Sequence, residues 1–216
     1  MIITLDGTAA SGKSTLAKIL AYKKGFFYIY SGLFYRALAF VLYKKEIDFY
    51  NEYSVCLAIS NILFTYSNDL FSNPVIFFLG KNITDDILRE DFGELASKIS
   101  SYKCVRSYVL KIQRVLAKNY ENIVADGRDC GTNVFRFADK KFFITASIDV
   151  KVERMMERNR DTLTSTEVRK YIVDRDKRDS TRDLNPMAPS KNAHIIDTSN
   201  MTIEQAIQRL LKTIDS

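Results

Sequence analysis

Five short apolar runs along the chain predict strands that are buried on both faces of a sheet. None of them shows the strict alternation of apolar and polar residues that is typical of a strand with one face in water. Segments of helical composition separate the runs, and strands that alternate with helices pair in parallel. We therefore predict an α/β fold in which a five-stranded parallel sheet lies between two layers of helices. The runs occupy residues 1–5, 26–30, 123–125, 142–145 and 195–196.

The intervening segments carry the signals of helix starts and ends. Gly25 is predicted to end the first helix, because glycine adopts the left-handed conformation common there. Ser31 is a candidate N-cap for the second helix, and capping-box spacings begin at Thr164 and Thr202. Helices are predicted over 14–21, from 31 to about 45, and as one long stretch over 92–119.

A different pattern between residues 60 and 90 interrupts this alternation. Segments 62–66 and 75–79 are rich in strand-forming residues, and turn-forming residues lie between them. This pattern predicts a small antiparallel lobe inserted into the α/β core.

Length and composition indicate one compact domain over residues 1–216. Of the 216 residues, 46% are hydrophobic and 27% are charged, which suits a full core. Cys56, Cys104 and Cys130 are odd in number and widely spaced, so we expect neither a disulfide framework nor a zinc site. We accordingly expect a cytoplasmic protein, with neither a leader sequence nor a membrane-spanning run.

The net charge of +6 is compatible with two kinds of partner. A basic face could bind nucleic acid, or an arginine-lined cleft could hold small polyanions. The distribution of the arginines, described below, favours the cleft.

Residues 7–14 spell a complete phosphate-binding loop, G-x-x-x-x-G-K-[ST], between the first strand and the first helix. In this context backbone N–H groups point at a polyphosphate, and the helix N-terminus adds positive charge. Lys13 is expected to reach the β- and γ-phosphates, and the Ser14 hydroxyl to bind Mg²⁺. The residues predicted to hold ATP are Gly7, Thr8, Ala9, Ala10, Ser11, Gly12, Lys13, Ser14 and Thr15.

Charged side chains follow two further predicted strands. Tyr35 and Arg36 lie one helical turn beyond Ser31, where the arginine could hold a second phosphate. Asp126 ends the strand at 123–125, which suggests a carboxylate near Mg²⁺. Arg128 and Asp129 follow directly and offer opposite charges beside the reacting phosphates.

A run of charged residues at 175–182 contains arginines at helical spacing. Arg175, Arg178, Asp179 and Arg182 stand at i, i+3, i+4 and i+7, so they share one face of a helix. Arginine's planar fork suits phosphate oxygens. Together with three arginines upstream, this face suggests a lid that closes over bound nucleotides and excludes water. The upstream residues are Arg154, Arg158 and Arg160.

These motifs together resemble the bacterial cytidylate (CMP) kinases, and the resemblance covers nearly the whole chain. In chain order, the motifs are the phosphate loop with its preceding aspartate, Ser-Gly-Leu-Phe-Tyr-Arg at 31–36, Ala-Ser at 96–97 with Val-Arg at 105–106, Asp-Gly-Arg-Asp-Cys-Gly-Thr at 126–132, and Arg-Asp-Lys-Arg-Asp-Ser-Thr-Arg at 175–182. The phosphate loop is shared by many families, whereas the motifs at 126–132 and 175–182, in this order, are far more specific.

The resemblance implies ATP-dependent phosphorylation of CMP and dCMP to the diphosphates, with Mg²⁺. It implies a three-layer phosphate-loop kinase core, a lobe at about 37–105 that binds the nucleoside monophosphate, and an arginine-rich helical lid at about 151–182. The partners would be small nucleotides, with no nucleic acid or membrane, and the chain a monomer.

The resemblance also implies a role for each matching residue. Ser97 and Arg106 would recognise cytosine, Arg36 and Arg128 would bind the acceptor phosphate, and Asp179 with Arg175 would contact the sugar. Lys13, Arg128, Asp129, Arg178 and Arg182 would carry the transfer. The acceptor-binding set is Ser31, Tyr35, Arg36, Ser97, Arg106, Arg128, Asp129, Arg175, Asp179 and Arg182, with Ser14, and Asp126 as a second candidate, for the metal.

Some positions depart from the family's pattern. Tyr30 stands where these kinases usually have an aspartate, which puts that residue's polar contact in doubt. Cys130 replaces a larger apolar residue and is expected to place a thiol beside the site, where its alkylation would slow turnover. Two other functions stay open, namely a phosphate-loop kinase for UMP or AMP, and a nucleic-acid-binding protein switched by ATP.

Overall fold

The centre of the fold is an all-parallel, five-stranded sheet. The computed structural model describes residues 1–158 and 163–215. The five parallel strands are those that the apolar runs predict, and the structure places them in the order β2-β6-β1-β7-β8. The strands are β1 (Ile2–Gly7), β2 (Phe27–Tyr30), β6 (Ile123–Gly127), β7 (Lys140–Thr145) and β8 (His194–Asp197).

The middle strand β1 fixes the register of its neighbours. Leu5 lies opposite Asp126 on one side and Phe142 on the other. The parallel arrangement brings the carboxyl ends of the strands to one edge, where ligands of such sheets bind. This edge carries the phosphate loop after Gly7, the start of the helix after β2, and Asp126.

Helices cover both faces of the sheet. One face packs on a cluster that includes Leu16 and Leu210, and the other on a cluster that includes Phe34 and Val109. No helix in the described part of the chain is long and apolar enough to cross a membrane. The helices are α1 (Lys13–Lys24), α2 (Ser31–Lys44), α3 (Glu52–Ile59), α4 (Thr84–Ile87), α5 (Glu90–Ile99), α6 (Lys103–Ala117), α7 (Ile148–Arg158), α8 (Ser165–Thr181) and α9 (Ile203–Ile214), with a short π-helical turn over Cys130–Val134.

Most of the predicted helix boundaries are confirmed. Gly25 ends α1 with φ of 67°, and capping boxes are present at Thr164 and Thr202. The prediction for Ser31 is wrong, because Tyr30 is the N-cap of α2. The Ser31 hydroxyl instead donates to Gln113 Oε1, 3.0 Å away, so it belongs to the packing of α2 against α6.

The predicted single helix over 92–119 is also wrong, since the chain breaks it between α5 and α6. Ser100 and Ser101 lie in the break, and each hydroxyl donates to the carbonyl oxygen three residues earlier, at 2.7 and 2.8 Å. Serine side chains that bond locally to the backbone compete with a continuous helix. Because of the break, Ser97 on α5 and Arg106 on α6 line the same cavity.

The inserted lobe contains the predicted antiparallel pair of strands and a short third strand that the sequence did not indicate. The three-stranded sheet consists of β3 (Phe64–Asn68), β4 (Pro74–Phe78) and β5 (Lys81–Asn82). Two of its side chains bond to the backbone of the edge strand β2. The N–H of Tyr30 donates to Tyr66 Oη at 2.9 Å, and the N–H of Tyr28 donates to Asn68 Oδ1 at 2.8 Å. These bonds satisfy groups that an edge strand otherwise leaves unpaired.

The expectation of three unpaired cysteines is wrong. Cys56 on α3 and Cys104 in the first turn of α6 form a disulfide, with their Cα atoms 5.7 Å apart. Their separation of 48 residues gives no spacing signal, because only the packing of α3 on α6 brings them together. Cys130 is a free, buried cysteine.

Candidate active site

The phosphate loop connects β1 to α1, and its two motif glycines have conformations that side chains disfavour. Gly7 has φ of 151°, and a Cβ there would lie 2.0 Å from the carbonyl oxygen of Ile144. Gly12 has φ of 86° and precedes the first residue of α1. The motif therefore has glycine where β1 closely approaches β7 and where the loop turns into the helix.

Lys13 lies buried at the start of α1. Its Nζ donates to the carbonyl oxygen of Thr8 at 3.2 Å. Burial, reinforced by the positive charge of Arg128, lowers the pKa of Lys13 to about 7, although Asp126 opposes the shift. A buried lysine amine with so low a pKa is ready to gain a proton when a polyphosphate arrives.

Ser14 and Asp126 form a pair of oxygen ligands beside Lys13. The Ser14 hydroxyl donates to Asp126 Oδ2 at 2.5 Å, and the Tyr28 hydroxyl donates to Asp126 Oδ1 at 2.7 Å. Burial raises the pKa of Asp126, and the nearby Lys13 ammonium opposes that rise. A hydroxyl and a carboxylate in contact are hard oxygen donors of the kind that Mg²⁺ prefers, so these residues fit the predicted metal site.

A cleft lined largely by polar and charged side chains opens at the carboxyl ends of the strands, which is where ligands of parallel sheets bind. Most of the predicted site residues line it, although they come from distant parts of the chain. These residues are Ala9, Ala10, Gly12, Lys13, Ser14, Thr15, Ser31, Tyr35, Arg36, Ser97, Arg106, Asp126, Arg128, Asp129, Arg175, Asp179 and Arg182.

Four predicted residues do not line this cleft. Gly7, Thr8 and Ser11 belong to the loop but do not line the cleft, and Ser11 borders a second cavity instead. Arg178 sits on α8 beside the lining residues, but the helical turn directs Arg175 and Asp179 to the cleft and leaves Arg178 half-buried outside its lining. The catalytic role of Arg178 stays a prediction.

Alternating ion pairs hold the far wall of the cleft. Asp129 pairs with Arg106 and, at 3.2 Å, with Arg182. Asp179 pairs with Arg128 at 2.8 Å. Each of these paired side chains is nearly buried. Removing one partner would therefore leave the other charge uncompensated and largely shielded from water.

The protonation states of this wall follow from the same contacts. Burial opposes ionisation of Asp179, but the surrounding guanidiniums, first that of Arg128, hold the pKa of its carboxyl below the ordinary value. Within the described residues, Nε of Arg106 is buried and has no hydrogen-bond acceptor. Because Arg106 lines the cleft, this donor is a candidate to bind an acceptor atom of a ligand.

Comparison with known proteins identifies the family. The family model described as cytidylate kinase matches residues 3–216. This chain belongs to the cytidylate kinase family. The family resemblance read from the motifs is thereby confirmed.

Individual relatives agree with this assignment over nearly their full lengths. The chain is 37% identical over 215 residues to a protein named cytidylate kinase from Thermotoga maritima, covering 98% of this chain and 96% of that one. It is 39% identical over 216 residues to another so named from Thermosipho melanesiensis, covering 98% and 95%. A crystal structure of an uncharacterized protein from Eubacterium ventriosum shares the fold, with a TM-score of 0.55, 14% identity and coverage of 100% and 99%.

Two departures from the cytidylate kinase pattern have defined positions. Tyr30 is half-buried and lines the cleft. Cys130 lies behind the cleft wall, with its Sγ 3.1 Å from the Ser31 hydroxyl oxygen, and burial raises the pKa of its thiol well above the ordinary value. A buried, protonated thiol reacts slowly, and the expectation that its alkylation slows turnover stays a prediction.

Arg36 is held in the cleft by backbone groups. Its Nη1 donates to the carbonyl oxygens of Ile87 at 3.1 Å and Arg89 at 2.7 Å. Gly93 on α5 leaves room for the guanidinium, since a Cβ there would lie 2.6 Å from Arg36 Nη2. The lobe thus fixes the orientation of this arginine.

Sequence reasoning missed three charged residues that support the site. Asp6 accepts the N–H groups of Cys130 and Gly131, both at 2.7 Å. Asp176 accepts the N–H of Ala9 and the ammonium of Lys151. A carboxylate in a buried strand directly before the phosphate loop was a usable signal for Asp6, and Asp176 stands within the family-specific motif at 175–182, whereas nothing in the local sequence indicates Lys151.

A second cavity lies on the other side of the phosphate loop, bordered by Gly12, Thr15, Arg154 and Thr198. Arg154 crosses it and donates to the carbonyl oxygen of Thr198 at 2.9 Å. Of the other predicted lid arginines, Arg158 ends α7 and Arg160 lies outside the described residues.

Proposed function

We propose that this chain transfers the γ-phosphoryl group of ATP to CMP and dCMP, in line and without a covalent enzyme intermediate. Membership of the cytidylate kinase family supports this function. The observation that carries it is a single cleft lined by the phosphate loop on one side and by Arg36, Arg106, Arg128 and Arg182 on the other. Such a cleft favours bringing two polyanions together.

The donor phosphates bind to the loop from Gly7 to Thr15. Lys13 contacts the β- and γ-phosphates, and Ser14 with Asp126 would hold Mg²⁺, which offsets negative charge on the phosphates when bound. The second cavity adjoins the loop at Gly12 and Thr15, so it is suited to the donor nucleoside. Closure of the lid arginines, including Arg178, excludes water from the donor.

The acceptor nucleotide binds along α2, α5, α6 and α8. Arg106 and Ser97 recognise cytosine, Arg36 and Arg128 hold the phosphate, and Asp179 with Arg175 contacts the sugar. Asp129 orients Arg106 and Arg182 through its two ion pairs. Ser31 and Tyr35 complete the acceptor wall, and burial raises the pKa of Tyr35 to about 12, which keeps its phenol neutral.

Charge compensation performs most of the chemical work. The acceptor phosphate is already ionised near neutral pH, so it needs no strong base. Its approach to the γ-phosphate is opposed by repulsion, which Lys13, Arg128 and Arg182 offset. Removing one such contact commonly costs about 2.7–4 kcal/mol in the transition state.

Rates of ADP release with CMP, dCMP, UMP and AMP as acceptors test the function. We expect kcat/KM for the two cytidine nucleotides to exceed the other two, and Arg106→Met to remove that preference. Fastest turnover with UMP or AMP would instead identify a kinase for that nucleotide. Salt-sensitive RNA binding without phosphorylation of any acceptor would favour the ATP-switched nucleic-acid-binding protein.

We also propose that the enzyme works as a monomer in the cytoplasm. This proposal rests on the nucleotide substrates of its family, because the Cys56–Cys104 disulfide removes the support that unpaired cysteines gave it. The cleft of one chain contains residues for both the donor and the acceptor nucleotide, which supports a monomer. Light scattering after size-exclusion chromatography tests the monomer, and a fluorescent fusion in the source cells tests the compartment.

A further inference from the structure

Asp176 is a buried contact between the phosphate loop and the lid helices. Its Oδ1 accepts the backbone N–H of Ala9 at 2.7 Å, and its Oδ2 accepts the Lys151 ammonium at 2.8 Å. Lys151 on α7 is only 7% exposed, so both charges are largely withdrawn from water. One carboxylate therefore joins three parts of the molecule, namely the loop, α7 and α8.

Apolar packing supports the same connection. The side chain of Ala9 belongs to a small cluster with Val152 and Met155 of α7 and Val168 and Ile172 of α8. This cluster fixes Ala9 against both helices, and Asp176 adds a directional bond from α8 to the loop backbone. A shift of the loop must therefore move α8 or break that bond.

The neighbours of Asp176 on α8 face the acceptor side of the cleft. Arg175 and Asp179 line it within one helical turn, and Asp179 pairs with Arg128 in the same wall of the cleft. The helix is continuous over this stretch, so its position is transmitted to both residues. The loop that receives the donor phosphates is thus mechanically linked to the helix that receives the acceptor.

We propose that Asp176 is a positioning residue that couples donor binding to acceptor binding, an inference that rests on the proposed function. The hydrogen bond to Ala9 carries the coupling, and the ion pair with Lys151 holds the carboxylate in place. Coupling between two sites is reciprocal and typically amounts to 5- to 150-fold in affinity, about 1–3 kcal/mol.

Two double variants separate the hydrogen bond from the charge. Asp176→Asn with Lys151→Gln removes both charges but keeps an amide oxygen that can accept the N–H of Ala9. Asp176→Leu with Lys151→Met removes the charges and the acceptor together. Asp174→Asn, at an exposed position on the same helix, is the control for loss of a carboxylate from α8.

The measurement is the dissociation constant of CMP by titration calorimetry, with and without the Mg²⁺ complex of an ATP analogue that has a β,γ-imido bridge. The ratio of the two constants is the coupling factor. A purely structural defect would weaken CMP binding with and without the analogue alike, so it would leave this ratio unchanged. We expect the control and the Asn/Gln variant to keep a wild-type factor of at least about 5, and the Leu/Met variant to approach 1. If the Leu/Met variant does not fold, Asp176→Ser with Lys151→Met replaces it, since serine is too short to reach Ala9.

Wild-type coupling in the variant without the acceptor would overturn the proposal, as would a factor of 1 in the wild type or its loss in the Asn/Gln variant. These outcomes differ from failure of the proposed function, in which the wild-type chain would neither bind CMP nor phosphorylate it.

Discussion

The low pKa of Lys13 makes donor binding a proton-linked event. Near pH 8 a lysine with a pKa of about 7 is mostly neutral in the free protein, and a polyphosphate beside it favours the charged form. We expect binding of Mg·ATP at pH 8 to take up close to one proton, and less at pH 6, where the lysine is already charged.

Calorimetry in buffers of different ionisation enthalpy measures this uptake. Lys13→Met should abolish it, whereas Lys23→Met, at an exposed position on the same helix, should retain it. Equal proton uptake by the Lys13 variant and the wild type would contradict the assignment.

Asp6 organises the turn that carries Arg128 and Asp129. Asp6→Asn leaves only one oxygen for the N–H groups of Cys130 and Gly131, so one buried donor loses its acceptor. We expect the free energy of unfolding to fall by about 1–3 kcal/mol, measured by urea denaturation. Asp183→Asn, at an exposed position, should leave the midpoint unchanged, and an Asp6 variant as stable as the wild type would disprove this role.

Among single residues, motif spacing identifies those whose partners lie nearby in the sequence. Gly12, Lys13 and Ser14 are readable because one short loop fixes their geometry. The role of Asp6 depends on N–H groups 124 and 125 residues away, and that of Asp176 on a loop amide 167 residues away. Such partnerships exist only after the sheet has formed, so spacing could not reveal them.

Among the elements, α5 supplies the space in which Arg36 is held. Gly93→Ala would introduce a Cβ 2.6 Å from Arg36 Nη2 and push the guanidinium from its two carbonyl acceptors. Alanine also favours the helix by about 1 kcal/mol over glycine. We therefore expect a raised KM for CMP without loss of stability.

Steady-state kinetics measure the KM for CMP, and thermal denaturation measures whether stability is kept. Glu94→Ala, the next position and exposed on the same helix, is the matched control and should leave KM unaltered. An unchanged KM for CMP in the Gly93 variant would show that Arg36 adjusts without consequence.

The pattern of apolar residues predicted the sheet and the antiparallel strands of the inserted lobe, but it did not predict that the helical stretch over 92–119 is divided into α5 and α6. The stretch over 92–119 has helical character throughout, and the break at Ser100 and Ser101 arises from side chains that bond to nearby carbonyl groups. The direction of the chain after the break is decided by tertiary packing of α5 and α6. Propensity alone does not contain that information.

For the whole molecule, the Cys56–Cys104 disulfide is the largest difference between the structure and what the sequence predicted. A cross-link that closes 48 residues restricts the unfolded chain and stabilises the fold by about 4 kcal/mol in the chain-entropy treatment. We expect Cys56→Ser with Cys104→Ser to lower the midpoint of thermal unfolding markedly compared with the oxidised wild type.

Thiol titration of the denatured protein checks the state of the bond. The oxidised chain should yield one thiol, from Cys130, and the reduced chain three. Cys130→Ser leaves the disulfide intact and serves as the control for the number of free thiols counted per chain. Three thiols without any reductant would show that the bond is not formed in solution.

The cross-link also gives the acceptor side an unusual connectivity. Residues 56–104 form a closed ring that contains Ser97, while Arg106 follows two positions beyond it. A protease that cuts the exposed tip at Leu79 would therefore open the ring without releasing a fragment. The nicked chain would migrate as one species in a gel without thiol and as two pieces once thiol is added.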